Sequence, residues 1–204
     1  VKRLDLQIRA LSPEETKEKI AREVDEITRQ KPSGAKKPDK PSGPVQAGER
    51  ARYISEYYDV ERAVIESFEK RLSDRKEYEI KPQTEIGDRL HLDMLLLSRD
   101  NGLRSDKIIE IKYFRNGLNG KYVFDIVRQM NTCLCRYRGL TGRRAAPVLL
   151  IVYNRERDSA ESAARFGDRI RSAAEGLPDM EELKMRLIDR SEIGMFDPRE
   201  LVAQ

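Results

Sequence analysis

Apolar residues alternate at the start of the chain, with Leu4, Leu6, Ile8 and Ala10 on one side, the period of a half-buried strand. Ser12, Pro13 and Glu15 follow as N-cap, first helical residue and capping-box acid. Behind them Ile20, Val24 and Ile27 form one stripe, so a helix is expected to run to about Gln30. From residue 49 to 74, Val60, Val64, Phe68 and Leu72 recur at helical spacing. Strand patterns occupy 77–86, 89–97 and 107–114, and Asn101-Gly102 between the last two is a strong hairpin signal. A helix over 121–140, a buried strand over 146–154, a helix over 159–176 and a short strand over 185–190 complete the pattern. From residue 49 the order is α-β-β-β-α-β, an α/β class with a mixed sheet flanked by helices.

Residues 31–47 interrupt this pattern with Pro, Gly, Ser and Lys, the composition of a flexible basic linker. The chain therefore divides into a strand-helix arm over 1–30, the linker, and a main domain over 48–204. The arm is expected to pack on another chain or on a missing domain, which points to a homodimer or a larger assembly.

Composition narrows the class. Charged residues make up 37% of the chain and apolar ones 38%, a soluble protein with a modest core. No stretch approaches the roughly 18 consecutive apolar residues of a membrane span, so no membrane partner is expected. The opening residues carry no apolar signal region and no cleavage site, so no secretion is expected. The chain starts at Val1, as a fragment or the product of an alternative start codon would. Lys and Arg outnumber Asp and Glu by 40 to 36, an excess that permits a polyanionic partner without requiring one. Cys133 and Cys135 would point about 200° apart on a helix, which suits reduced thiols of a cytoplasmic protein better than a shared metal.

Two of the most apolar strands nevertheless carry Asp93, Glu110 and Lys112. With the hairpin centred on Asn101-Gly102, facing residues have numbers that sum to 203, which sets Asp93 opposite Glu110. Lys112, two residues on, shares the face of Glu110. Two facing carboxylates repel, and an apolar sheet raises the cost. One of them is protonated, or a basic side chain neutralises the pair, or a cation binds between them. One ammonium beside two carboxylates leaves a negative site, which suits a hard divalent ion such as Mg²⁺. A plain ion pair of Lys112 with one carboxylate near the end of the sheet is the structural alternative.

Asp93, sixteen intervening residues and then Glu110-Ile111-Lys112 resembles the signature of the PD-(D/E)XK nuclease superfamily. The element order over about 50–190 is similar to that family's restriction-endonuclease-like core. Leu92, not Pro, precedes Asp93, a position at which the superfamily varies. The resemblance implies that Asp93, Glu110 and the backbone carbonyl of Ile111 hold one or two Mg²⁺ ions, with Mn²⁺ as a substitute. It implies that Lys112 orients or activates the attacking water and stabilises charge on the phosphate. Similar nucleases carry an acid on the first helix; Glu61 fits because Val64, Ile65 and Phe68 follow at helical spacing, with Glu66 and Glu69 as competitors. Gln129 matches a polar residue that related nucleases place on the helix after the third strand.

Other residues are open to two readings. His91 shares the face of Asp93, as a phosphate contact or as a strand-end residue. Arg136, Arg138, Arg143 and Arg144 cluster around Tyr137, as a phosphate-backbone site or as a solvated helix end. Tyr53 and Tyr57, one helical turn apart, fit packing better than base stacking.

The expectation is a metal-dependent DNA endonuclease that hydrolyses phosphodiester bonds, by resemblance leaving 5′-phosphate ends. Double-stranded DNA is the expected substrate, and RNA or single strands are the competing ones. Analogy alone suggests an effector of bacterial defence or of DNA processing. The alternative is a non-catalytic nucleic-acid-binding or scaffold module that keeps the nuclease fold.

Overall fold

The structure is a computed structural model that describes residues 8–29, 44–74, 76–87, 90–99 and 104–202. One six-stranded mixed sheet runs through it in the order β1 (Ile8–Ala10), β2 (Tyr78–Ile86), β3 (Leu90–Ser98), β4 (Asp106–Phe114), β5 (Ala145–Tyr153) and β6 (Lys184–Asp189). β1 to β4 pair antiparallel, and β5 and β6 join parallel to β4. β5, with parallel neighbours on both sides, is buried from Ala146 to Tyr153, which explains its unbroken apolar run.

Helices cover both faces. On one side α1 (Pro13–Arg29), α2 (Pro44–Leu72) and α5 (Arg199–Val202) share a core with Met94, Leu96, Ile109 and Ile111. On the other, α3 (Val123–Thr141) and α4 (Ala160–Ala174) pack over Leu92, Leu95, Ile108 and Leu149. Among the described residues no helix is long and apolar enough to cross a membrane.

The arm does not wait for another chain. β1 extends this chain's own sheet, pairing Ile8 with Ile86 and Ala10 with Thr84. The capping box forms as expected: the Ser12 N–H donates to Glu15 at 2.8 Å, and the Glu15 N–H donates to the Ser12 hydroxyl at 3.2 Å. Ile20 and Val24 of the predicted stripe are wholly buried in the α2-side core. An unpaired β2 edge and an open apolar face on α2 are what the arm covers. α2 begins at Pro44, so its first turn lies inside the expected 31–47 linker; residues 30–43 are outside the described set, as are Leu4 and Leu6.

Two local distortions shape the middle of the sheet. Gln83 has φ 41°, a left-handed conformation for a non-glycine residue, and it lies between the pairs Pro82–Met94 and Thr84–Leu92. Its carbonyl accepts the Leu11 N–H at 2.7 Å. Period-two alternation would put Leu92 and Met94 on one face, but they belong to opposite cores. The strand thus rotates at Asp93, opposite Gln83. The β3–β4 ladder keeps the expected register over Met94–Ile109, Leu95–Ile108 and Leu96–Lys107. Asn101-Gly102, the predicted turn, lies outside the described residues.

Candidate metal centre

Asp93 is wholly buried at this twist. Its Oδ2 accepts the backbone N–H of Ile111 at 2.6 Å, which turns the carboxylate toward β4. Glu61, on the inner face of α2, is 1% exposed and is held by the Gln83 side-chain amide at 2.8 Å. Glu23, on α1, completes a group of three carboxylates whose nearest oxygens all lie within 4.8 Å of one another. Three convergent carboxylates could hold a metal ion.

Two ammonium groups stand among them. Lys19 ion-pairs with Asp93 and lies 3.4 Å from Glu61 and 3.7 Å from Glu23. Lys112 lies 2.8 Å from Glu23 and 3.3 Å from Glu110. Four carboxylates thus face two ammoniums, a formal excess of two negative charges in a nearly dry site. Burial opposes the charge on Lys112, but Glu23 and Glu110 hold its pKa well above the ordinary lysine value. Burial likewise disfavours the Glu23 carboxylate, and Lys112 and Lys19 overcome it, bringing its pKa down to about 2. Glu61 goes the other way: burial raises it and the Lys19 attraction does not compensate. Of Glu23 and Glu61, Glu61 is therefore the one that more readily takes up a proton.

The sequence-derived residues separate into groups. Asp93, expected as a metal ligand, and Glu61, expected as the acid of the first helix, both lie in the group of three. Glu110, expected opposite Asp93 as its co-ligand, is instead half-buried, paired with Lys112 and outside that group, because the β3–β4 ladder stops at Met94–Ile109. The Ile111 carbonyl accepts the buried Tyr57 hydroxyl at 2.9 Å, so one of its lone pairs is occupied. The same hydroxyl lies 2.8 Å from Glu23, so Tyr57 is a packing residue that also orients the centre. The Tyr53 hydroxyl donates to the Tyr113 carbonyl at 3.0 Å, which fits the packing reading. Gln129 lines the groove beside Glu110 and Lys112, but its amide donates to Glu26 at 3.2 Å. His91 is hydrogen-bonded to Glu85 at 3.1 Å.

The arginine cluster does not act as one patch. Arg143 is drawn inward onto buried Asp106 at 2.6 Å, and Arg138 is paired with Asp179 at 2.6 Å. Arg144 is exposed beside Arg138. Arg136 alone of the four lines the groove that contains Glu110 and Lys112. Cys133 is buried, Cys135 is exposed, and both are free thiols.

Lys19, Glu23 and Gln83 were not singled out from the sequence. Lys19 and Glu23 each precede a core position of the α1 stripe, Ile20 and Val24, which puts them at its border. That border becomes part of a site only once α1 docks.

The sequence matches no protein-family model and no curated protein. A solved structure of Pyrococcus furiosus SfsA in complex with Ca²⁺ aligns over 71% of this chain and 57% of its own, at 15% identity and a TM-score of 0.29. A likeness of that size carries no argument about fold or activity.

Proposed function

We propose that the protein is a metal-dependent phosphodiesterase acting on DNA, with a restriction-endonuclease-like core. The observation that carries this reading is the convergence of Asp93, Glu61 and Glu23 beside Glu110 and Lys112, in a buried site with an excess of negative charge. The donor set is all oxygen, which suits Mg²⁺ or Mn²⁺, and the Asp93 Oδ1 that would bind the ion is ion-paired with the Lys19 ammonium. Asp93, Glu61 and Glu23 would hold the ion, with Glu110 at its edge. A divalent ion there supplies charge neutralisation to a phosphate and lowers the pKa of a bound water.

The protein's own groups do the rest. Gln83 and Tyr57 fix the carboxylates of Glu61 and Glu23. The Lys112 ammonium orients the attacking water and offsets charge developing on the phosphate oxygens. Arg22, Arg128 and Arg136 line the same groove, of about 550 Å³, as Glu110 and Lys112, where they meet phosphates flanking the scissile one.

A non-catalytic scaffold is the second reading, favoured by the Lys19–Asp93 ion pair, which neutralises part of the centre without a metal. Nicking of supercoiled, linear and single-stranded DNA by wild type, Asp93→Ala and Lys112→Ala, each with Mg²⁺, Mn²⁺ or EDTA, decides between them. Metal-dependent cleavage lost in both variants supports the nuclease. Cleavage that survives both changes rejects this site, and absence of both cleavage and metal binding supports the scaffold.

A further inference from the structure

Lys19 enters the centre from α1, and its ammonium touches the same three carboxylates that form the oxygen cluster. The side chain is 8% exposed. Asp93 Oδ1, wholly buried, is ion-paired with that ammonium and has no other hydrogen-bond partner among the described residues. A cation therefore already stands where the three carboxylates converge. An ammonium and a divalent ion cannot share that point, because both charge and volume exclude it.

On the metal reading proposed above, we infer that Lys19 holds the place of the divalent ion, so that metal binding and seating of its ammonium are mutually exclusive. The exchange moves a side chain and leaves the helix docked. Ile20 and Val24 anchor α1 in the core, and Glu23, one of the three ligands, belongs to the same helix. Lifting α1 would remove a ligand and expose apolar surface. The flexible four-carbon stem of Lys19 can instead swing alone. Its outlet is the adjoining groove, where Glu26 and Glu110 offer new partners.

The device has a physical purpose. Without Lys19 the metal-free centre would leave four carboxylates against the single ammonium of Lys112, and like charges in a dry site destabilise the fold. With Lys19 in place the formal excess in the metal-free centre falls from three negative charges to two, and the ion must outcompete an internal cation. Metal affinity is thus set lower than the three carboxylates alone would give.

Calorimetric titration of the full chain with Mn²⁺ tests this, comparing wild type with Lys19→Gln and with Lys17→Gln, an exposed site on the same helix. Lys19→Gln should bind Mn²⁺ at least about tenfold more tightly, a difference of roughly 1.4 kcal/mol. Lys17→Gln should match wild type. Equal or weaker binding by Lys19→Gln overturns the inference while leaving the metal reading intact, because Mn²⁺ still binds. No Mn²⁺ binding by any form overturns both. Wild type provides an arm that needs no variant: amine labelling of Lys19, read by peptide mass spectrometry with and without Mn²⁺. Labelling should rise severalfold in saturating Mn²⁺; protection unchanged with the ion bound overturns the exchange.

Discussion

The Asp93 carboxylate accepts the backbone N–H of Ile111, so a side chain of β3 bonds directly to the residue that separates Glu110 from Lys112. The β3–β4 ladder ends at Met94–Ile109, and this bond continues the pairing through an acid. Asp93 thereby has two roles, holding β4 and facing the other carboxylates. Asp93→Asn and Asp93→Ala should separate them. Asn keeps an acceptor for Ile111 and removes the charge, so it should fold stably and lose cleavage by about a hundredfold or more. Ala also orphans a buried N–H, which should cost a further ~1–3 kcal/mol in urea unfolding.

Tyr57 contributes one hydroxyl shared between the Ile111 carbonyl and Glu23. Tyr57→Phe should lower stability by about 1 kcal/mol, since the ring still packs but the carbonyl loses its donor. If Tyr57 orients the centre, Mn²⁺ affinity should fall as well. A variant with lowered stability and unchanged Mn²⁺ affinity would confine Tyr57 to packing.

Stability at acid pH should carry the signature of Glu23. Its folded pKa, about 2, lies below the ordinary glutamate value of 4.5, so its contribution is present above 4.5 and is lost as pH falls toward 2. The contribution is on the order of 3 kcal/mol. Urea unfolding of wild type and Glu23→Gln across that window should show the wild type losing more stability on acidification. Parallel curves would remove Glu23 from the acid response.

Arg143 and Arg136 should behave oppositely despite their closeness in sequence. Arg143 neutralises Asp106, which also accepts the Tyr137 hydroxyl at 2.7 Å and the Ser98 N–H at 2.7 Å. Arg143→Ala should cost roughly 2 kcal/mol or more of stability by leaving a buried charge short of its partner. Arg136→Ala should leave stability within about 0.5 kcal/mol and weaken DNA binding with a shallower salt dependence. Equal loss of DNA binding in two folded variants would restore the single-patch reading.

Much of the framework could be read from the sequence because it rests on local rules. The capping box at Ser12–Glu15, the stripe of Ile20 and Val24 and the register of Met94 against Ile109 each follow from spacing over a few residues or from a single turn. Glu61 was legible for the same reason, since Val64, Ile65 and Phe68 turn its side of α2 inward.

The destinations of the arginines were hidden. Arg138 and Arg143 sit together in the chain, but their acids, Asp179 and Asp106, come from distant segments on either side. Gln83 was hidden too, because no propensity rule puts a non-glycine residue at positive φ within a strand.

Periodicity along one chain determines which residues form helices and strands, and the spacing about Asn101-Gly102 determines the register of Met94 against Ile109. It therefore set Asp93, Glu110 and Lys112 in neighbouring strands. It could not determine that α1 would dock on its own domain and carry Lys19 and Glu23 among those charges. That choice depends on apolar burial of Ile20 and Val24 against a distant helix, and hydrophobic attraction is non-directional until the whole surface exists to receive it. The tertiary structure alone thus decided how many charges meet at the centre, and which cation stands in it.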